Sequence, residues 1–268
     1  MLKYRIYIIF YFLFLASCIL HLASRDGWAK KSEVLIAAAS DLQFAMQDLI
    51  KAFSGIYPDS RIKVSYGSSG NFFSQIKNGA PYNIFFSADM KYPEKLAEEG
   101  DGLKGEIPVM YAVGRIVIWV SSKSPVDVGK LKFESLLRPS VKKIAIANPE
   151  HAPYGMAAKE SLLHEGIFER VKDKFVMGEN ISQTAQFVQS GAADIGIIAL
   201  SLAISPKMIE NGRYWEIPSE YHNPLKQGFI LLKDSEKNTT AKQFADFVKS
   251  AEGVSILKKY GFKAANNE

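Results

Sequence analysis

The feature that most constrains this chain is a strand that ends in serine at the start of a helix, and it occurs twice. Residues 34–39, of sequence VLIAAA, have the composition of a buried strand, and Ser40 follows at once. The β-like residues 62–66 lead in the same way into residues 67–70, of sequence GSSG. After each serine, apolar residues recur at helical spacing. Two such strand–helix units predict an open α/β sheet.

Both corners have the chemistry of an anion site. The first N–H groups of a helix lack internal partners, and the helix dipole places partial positive charge there. Glycine lets a backbone N–H approach a ligand closely, and serine adds a short donor. Each corner alone is equally compatible with an ordinary serine cap. Ligands of open α/β sheets, however, bind at the carboxyl ends of strands, where two corners can converge. The pair therefore favours an anion site.

The rest of the chain continues the alternation of strands and helices. Residues 33–89 follow a β-α-β-α-β pattern, and further strands are predicted at residues 116–120, 144–147, 195–199 and 229–232. Helices are expected near residues 156–164 and 181–189, and a long amphipathic helix is marked by Ala241, Phe244, Phe247 and Val248. The apolar strands are typical of parallel sheets. The predicted class is therefore α/β with mostly parallel sheets and helices on both faces.

The N-terminus reads as an export signal. Lys3 and Arg5 precede the apolar residues 6–23, and residues 27–29 offer a small-residue cleavage site, so that the mature chain would start near Lys30. Two alternatives stay open. Residues 15–18, LASC, resemble a lipoprotein signal ending at Cys18, and the apolar run is also long enough for an uncleaved anchor. All three interpretations place the globular part outside the cytoplasm.

Several functional classes lack support in the sequence. The formal net charge is +5, but acidic residues are interspersed and no basic stripe is present, which argues against nucleic acid as a partner. The GSSG motif does not have the spacing of a hydrolase nucleophile elbow, and there is no phosphate-loop motif. His151 stands alone in a proline-rich turn, so a structural or solvent-facing role is favoured over metal binding. Asp89 is expected to cap the segment leading to Lys91. No enzyme activity and no cofactor are predicted.

Six segments, in register, carry a resemblance to a known family. They are residues 37–40 (AAAS), 67–69 (GSS), 78–81 (NGAP), 86–89 (FSAD), 148–155 (NPEHAPYG) and 258–262 (KKYGF). Over residues 33–263 the chain resembles the periplasmic molybdate-binding proteins of ABC importers, which are type II periplasmic binding proteins. The resemblance implies two lobes with a ligand cleft between them. It places the signal at residues 1–29, the first lobe at 30–112 and 219–268, and the second lobe at 113–218.

The resemblance also implies a set of site residues. Molybdate is a fully deprotonated dianion that only accepts hydrogen bonds, so its site should present donors. The family's ligand positions fall on Ser40 and Ser69, with Ser68 as an added contact, on the hydroxyl of Tyr154, and on the backbone N–H of Ile181. Molybdenum would be held there only as its oxyanion. One branch of the family uses a tyrosine where this chain has Ala199, so the hydroxyl is assigned to Tyr154.

Asp41 departs from the resemblance, because the matching branch of the family tends to carry asparagine there. A carboxylate beside a dianion is unfavourable unless it turns away. In the first turn of a helix, aspartate is an ordinary partner of the dipole. A carboxylate is also the acceptor that a protonated oxyanion such as hydrogen phosphate would need. Both interpretations of Asp41 stay open.

The function implied is that of an extracytoplasmic receptor that closes two lobes around molybdate or tungstate and delivers it to a membrane permease. The protein is expected to be a monomer in the periplasm. Another oxyanion such as phosphate or sulfate is the alternative ligand. A sensor domain of the same fold is an alternative function, although transcription factors of that kind carry a DNA-binding helix pair where this chain has its apolar signal.

Overall fold

The computed structural model describes residues 33–265. The chain divides into a unit of residues 1–32 and a unit of residues 33–268, and only the second is described. The predicted signal segment and Cys18 lie outside the described residues. Within residues 33–265, no helix is long and apolar enough to cross a membrane.

In the part of the chain that the structure describes, eleven strands form two sheets. The first sheet has six strands in the order β11-β4-β10-β3-β1-β2, with bounds β1 Glu33–Ala39, β2 Arg61–Gly67, β3 Ile84–Ser87, β4 Val109–Gly114, β10 Leu225–Leu231 and β11 Lys263–Ala264. The second has five strands in the order β7-β6-β8-β5-β9, with bounds β5 Ile116–Ser121, β6 Ile144–Ala147, β7 Phe175–Gly178, β8 Ile195–Ala199 and β9 Gly212–Glu216.

Helices lie on both sides of the sheets. The α-helices of the described chain are α1 Gln43–Ile56, α2 Ser69–Lys77, α3 Lys91–Glu98, α4 Val128–Leu131, α5 Pro153–His164, α6 Phe168–Val171, α7 Ile181–Ser190, α8 Leu200–Ala203, α9 Pro206–Glu210, α10 Thr239–Lys249 and α11 Ala251–Lys259. Short 3-10 helices cover Ser40–Leu42, Lys132–Leu137, Lys172–Lys174, Ser219–Tyr221 and Lys233–Ser235. The predicted amphipathic helix marked by Ala241, Phe244, Phe247 and Val248 is α10. Ser250 ends it in extended backbone and caps α11 by accepting from the Gly253 N–H.

The periodicity of the sequence explains how these helices pack. In α1 the residues at helical spacing, Ala45, Met46, Leu49 and Phe53, are all buried. Phe53 meets Phe244 of α10 edge-on, with ring centroids 5.2 Å apart. The second sheet has its own core, in which Trp119 of β5 is 1% exposed. Burial of such large apolar side chains is the main favourable term in holding each sheet to its helices.

The α/β class is confirmed, but the sheets are mixed rather than mostly parallel. Strands β1, β2 and β3 pair in parallel, as do β6, β7 and β8. Strands β4, β10 and β11 pair antiparallel in the first sheet, and β5 and β9 do so in the second. Parallel neighbours need a crossover connection, usually a helix. Strands β5 and β10, by contrast, are each entered from the other sheet without an α-helix in between, and the hydrophobic pattern of the sequence did not reveal their direction.

The chain passes between the two sheets twice. Only Arg115 separates β4 from β5, and residues 217–224 lead from β9 back to β10. Arg115 ties this junction to both sheets, since its Nε donates to the Gly261 carbonyl, just before β11, at 2.8 Å and its Nη1 lies 3.1 Å from Oε1 of Glu216 at the end of β9. The first sheet thus takes its strands from residues 33–114 and 225–264, and the second takes its strands from residues 116–216. That they act as two lobes with the predicted boundaries stays a prediction.

Candidate functional site

The structure brings the five predicted site residues to one cavity between the two sheets. Its lining comprises Ala39, Ser40, Asp41, Gly67, Ser68, Ser69, Ala88, Ala152, Pro153, Tyr154 and Ile181. The volume is about 10 Å³, close to the smallest cavity that holds one water molecule. The walls are therefore almost in contact. Among the described residues, those lining the cavity include no lysine or arginine.

The first sheet contributes the two serine corners. Ser40 and Asp41 follow β1 in a 3-10 turn, and Ser69 is the first residue of α2, with Ser68 as its cap. Ser69 is fully buried, and its Oγ accepts a hydrogen bond from the Ala88 N–H at 2.9 Å. Since that bond uses the oxygen, the Ser69 hydroxyl proton stays available to a ligand.

The second sheet contributes two helix starts. Tyr154 lies in the first turn of α5, which begins with Pro153 at the position that tolerates a missing N–H. The helix starts earlier than the sequence pattern suggested. Ile181 is the first residue of α7, and the Asn180 side chain caps that helix by accepting from the N–H groups of Ser182 and Gln183, each at 3.0 Å. The Ile181 N–H is the first-turn amide that this cap does not take.

Ser40 bridges the two sides directly. Its Oγ donates to Asn180 Oδ1 at 3.1 Å and accepts from the Ser182 N–H at 3.2 Å. A second bond joins the same elements, because Ser182 Oγ donates to Gln43 Oε1 at 2.9 Å. The first serine corner is thus closed onto the start of α7.

A buried polar network forms the base of the cavity. Tyr154 Oη donates to Asp41 Oδ2 at 2.9 Å, and Gln227 Nε2 lies 2.7 Å from the same oxygen and 2.9 Å from Tyr154 Oη. Tyr111 Oη donates to Gln227 Oε1 at 2.6 Å. Gln227 and Tyr111 lie on β10 and β4, the strands at the crossings between the sheets. The network therefore joins both cavity walls to the crossing strands.

Asp41 is the ionisable group of this network. Burial raises its pKa to about 6 from an ordinary value of 3.8, although the hydrogen bonds from Gln227 and Tyr154 and the nearby backbone N–H groups act in the opposite direction. Burial also raises the pKa of Tyr154 and of Tyr111 well above the usual value, with the charge of Asp41 adding to both. The other carboxylate oxygen, Oδ1, is buried and has no hydrogen-bond partner among residues 33–265.

Neither interpretation of Asp41 from the sequence included its partners. The side-chain partners of the carboxylate, Tyr154 and Gln227, lie more than a hundred positions away in the sequence. Gln227 and Tyr111 gave no signal in the sequence, because a glutamine or tyrosine inside a strand is most often unrelated to a site. Ala199 ends β8 and is fully buried, outside the cavity lining.

His151 and Asp89 have structural contacts. His151 Nδ1 lies 2.9 Å from Ser68 Oγ, and its Nε2 lies 3.7 Å from Glu179 Oε1. Asp89 Oδ1 accepts from the Lys91 N–H at 3.0 Å, which confirms its predicted capping role.

Comparison with known proteins identifies the family of this chain. The family described as "Bacterial extracellular solute-binding protein" matches residues 34–263. The chain belongs to this family. It is 35% identical over 236 residues to the molybdate-binding protein ModA of Azotobacter vinelandii, covering 87% of this chain and 91% of that protein. It is 31% identical over 264 residues to the putative ABC transporter substrate-binding lipoprotein YvgL of Bacillus subtilis, covering 98% of each.

Solved structures agree with this assignment. The Azotobacter vinelandii periplasmic molybdate-binding protein superposes with a TM-score of 0.79 at 33% identity, over 85% of this chain and 98% of that one. A sulfate-binding protein, SubI from Mycobacterium tuberculosis, matches at 13% identity with a TM-score of 0.70, which shows the fold alone. This bacterial extracellular solute-binding protein is thus extracytoplasmic and a binding protein rather than an enzyme.

Proposed function

We propose that this solute-binding protein captures molybdate, or the isostructural tungstate, and delivers it to the permease of an ABC importer. One observation carries the proposal: neutral hydrogen-bond donors from both sheets converge on a single cavity whose described lining has no lysine or arginine. The relatives named as molybdate-binding proteins, at 34–35% identity over most of the chain, support the choice of anion.

The donors suit a dianion that can only accept hydrogen bonds. The hydroxyls of Ser40, Ser68, Ser69 and Tyr154 and the N–H of Ile181 would surround the oxygens, while the starts of α2 and α7 add partial positive charge. Hydrogen bonds to a charged group are worth roughly 1.5–3 kcal/mol each. Because these donors serve any tetrahedral oxyanion equally, discrimination against sulfate would rest on where the oxygens lie.

Binding requires two changes from the arrangement described. A cavity of about 10 Å³ is smaller than a tetrahedral oxyanion, so the walls must separate to admit one. The single hydroxyl protons of Tyr154 and Ser40 are donated to Asp41 and Asn180, and both would have to turn towards the ligand. Both changes are available if the two sheets rotate about the crossing strands and close again around the anion.

A protonated oxyanion such as hydrogen phosphate is the second candidate. The observation that favours it is the unpartnered Oδ1 of Asp41, a buried acceptor in the wall of a cavity otherwise made of donors. An ionised carboxylate repels a dianion, but it accepts a hydrogen bond from a ligand that carries a proton.

Outside the cytoplasm, the protein could be either soluble in the periplasm or anchored to the membrane by a lipid. We propose the periplasm, with cleavage after Ala29 giving a soluble monomer. The similarity to YvgL, a lipoprotein by name, favours the alternative of a lipid on Cys18. Mass spectrometry of the native N-terminus separates the two, because the mature chain would start near Lys30 in one case and at a lipid-modified Cys18 in the other. Lipid attachment also predicts that the protein is retained in the membrane and that Cys18→Ala abolishes this retention.

Thermal unfolding tests the proposed function. A ligand that binds only the folded protein stabilises it by about 2.7 kcal/mol at a hundredfold excess over Kd. Molybdate should therefore raise the melting temperature by several degrees, while the same concentration of sulfate should do little. Equal shifts with both anions would refute the selectivity, and no shift with either would refute the function.

A further inference from the structure

Outside the cavity, a second set of contacts joins the two sides of the site. We call it the rim latch: Ser68, Gly70 and Asn71 on the first side, and His151 and Glu179 on the second. The Gly70 N–H donates to the His151 carbonyl at 2.9 Å, and Asn71 Nδ2 donates to Glu179 Oε1 at 2.6 Å. The His151 ring spans the two, with Ser68 Oγ on one nitrogen and Glu179 near the other.

The absence of a side chain at Gly70 allows the backbones of Gly70 and His151 to approach each other closely. A Cβ at this position would lie 2.8 Å from the His151 carbonyl oxygen and 3.0 Å from the His151 Cα. The backbone of Gly70 is not in the left-handed region, so an alanine would be unstrained within α2 itself. Alanine is also the better helix former. Substitution here therefore acts on the approach of the second side and leaves the helix sound.

The latch also determines how the start of α2 is used. Gly70 N–H is one of the first-turn donors of that helix, and the latch gives it a protein partner instead of leaving it for a ligand. Ser69, its neighbour, keeps its hydroxyl proton for the cavity. The same helix start can thus bind the anion and the opposite side of the site at once.

We propose that the rim latch holds the site closed over its anion and so sets the rate of release, with His151 and Glu179 as positioning residues. This inference rests on the proposed function. Since the latch lies outside the cavity lining except for Ser68, its loss should speed dissociation while association stays nearly unchanged.

Stopped-flow kinetics with molybdate test the proposal in Gly70→Ala, whose added Cβ should push the His151 backbone away. We expect its dissociation rate to rise about tenfold or more, with an association rate within about threefold of wild type. Gly55→Ala is the matched control, because Gly55 lies in α1 and a Cβ there meets nothing within 4 Å. Dissociation from Gly70→Ala at the wild-type rate would overturn the proposal.

Glu179 variants separate contact from charge. Glu179→Gln keeps an oxygen for Asn71, so its dissociation rate for molybdate should exceed that of wild type by no more than about threefold. Glu179→Ala loses the contact, so its dissociation rate should approach that of Gly70→Ala. Glu150→Ala removes an exposed carboxylate of the same rim and should behave as wild type. Equal rates in Glu179→Ala and wild type would contradict the proposal.

Amide hydrogen exchange at Gly70 tests the latch without any ligand. Glu179→Ala should speed exchange of this amide, and Glu150→Ala should not. If wild type fails to bind molybdate, the proposed function falls, and exchange at Gly70 still decides on the latch. Unchanged Gly70 exchange in Glu179→Ala would overturn it.

Discussion

The hydroxyl of Tyr154 donates a hydrogen bond to the carboxylate of Asp41, 2.9 Å away across the base of the cavity. Asp41 follows strand β1 of the first sheet, Tyr154 lies in the first turn of a helix of the second, and Gln227 contacts both. The charge of Asp41 and the proton of Tyr154 are therefore coupled. Any ligand that needs the tyrosine as a donor competes with the carboxylate for it.

Asp41 should make stability depend on pH. Its folded pKa of about 6 lies above the ordinary 3.8, so the folded state binds the proton more tightly and is penalised once the carboxylate ionises. The penalty is absent below pH 4, grows as the pH rises through 6, and reaches about 3 kcal/mol. Asp41→Asn should therefore gain stability over wild type as the pH rises from 4 to 7, measured by urea unfolding at several pH values.

Asp48 supplies a control of opposite sign. Its pKa is lowered, chiefly by the hydrogen bond from Lys259, so its contribution is present at neutral pH and lost as the pH falls through the folded pKa. Asp48→Asn should thus lose stability at neutral pH and little in acid. A pH-independent difference between Asp41→Asn and wild type would contradict the buried, ionisable state of Asp41.

The affinity of Asp41→Asn distinguishes the two candidate ligands. Removal of the charge should strengthen molybdate binding by about tenfold at pH 8, because repulsion of the dianion ends and Tyr154 is less strongly held. The gain should shrink at pH 5, where wild type is mostly protonated. Competition binding at both pH values measures it. Strong phosphate binding that is lost in Asp41→Asn would favour the protonated oxyanion instead.

Substitution of Ser69 should weaken molybdate binding, whereas substitution of Ile181 should not. Ser69→Ala removes a hydroxyl with a free proton and should weaken molybdate binding by one to two decades, in line with roughly 1.5–3 kcal/mol for a charge-assisted bond. Ile181→Val keeps the backbone N–H and should be nearly neutral. Equilibrium dialysis gives both constants, and a neutral Ser69→Ala would remove that residue from the site.

Gly114 should be intolerant of a side chain, because a Cβ there would overlap Tyr154 Oη and lie 2.7 Å from Gln227 Nε2. Gly114→Ala is expected to cost about 1–3 kcal/mol by overpacking and to weaken molybdate binding by displacing the tyrosine. Gly55→Ala serves again as control in the same urea titrations. Wild-type stability and affinity in Gly114→Ala would argue against a rigid network.

Local patterns in the sequence predicted what is local in the structure. The serine corners at Ser40 and Ser69 and the apolar face of α1 follow from spacing along one strand or helix. The prediction that these corners share a site with Tyr154 and Ile181 came from the family resemblance, because residues so far apart in the sequence share no local signal. The structure places all four at one cavity.

What the sequence did not predict depends on long-range pairing. Gln227 reaches Asp41 only because β10 enters the first sheet antiparallel beside β3 and β4, and strand direction is not encoded in hydrophobic pattern. His151 looked like a lone turn residue because its partners, Ser68 and Glu179, come from other elements. Gly70 looked like a ligand-binding glycine, whereas its missing Cβ makes room for the His151 backbone.

Isothermal titration calorimetry of the protein beginning at Lys30 tests whether the cavity is a molybdate site. Molybdate, tungstate, sulfate and phosphate would be titrated in turn at pH 8. We expect one site per chain for molybdate and tungstate, with sulfate and phosphate binding at least about a hundredfold more weakly, a difference of about 2.7 kcal/mol. Tight binding of phosphate with no heat from molybdate would contradict this expectation.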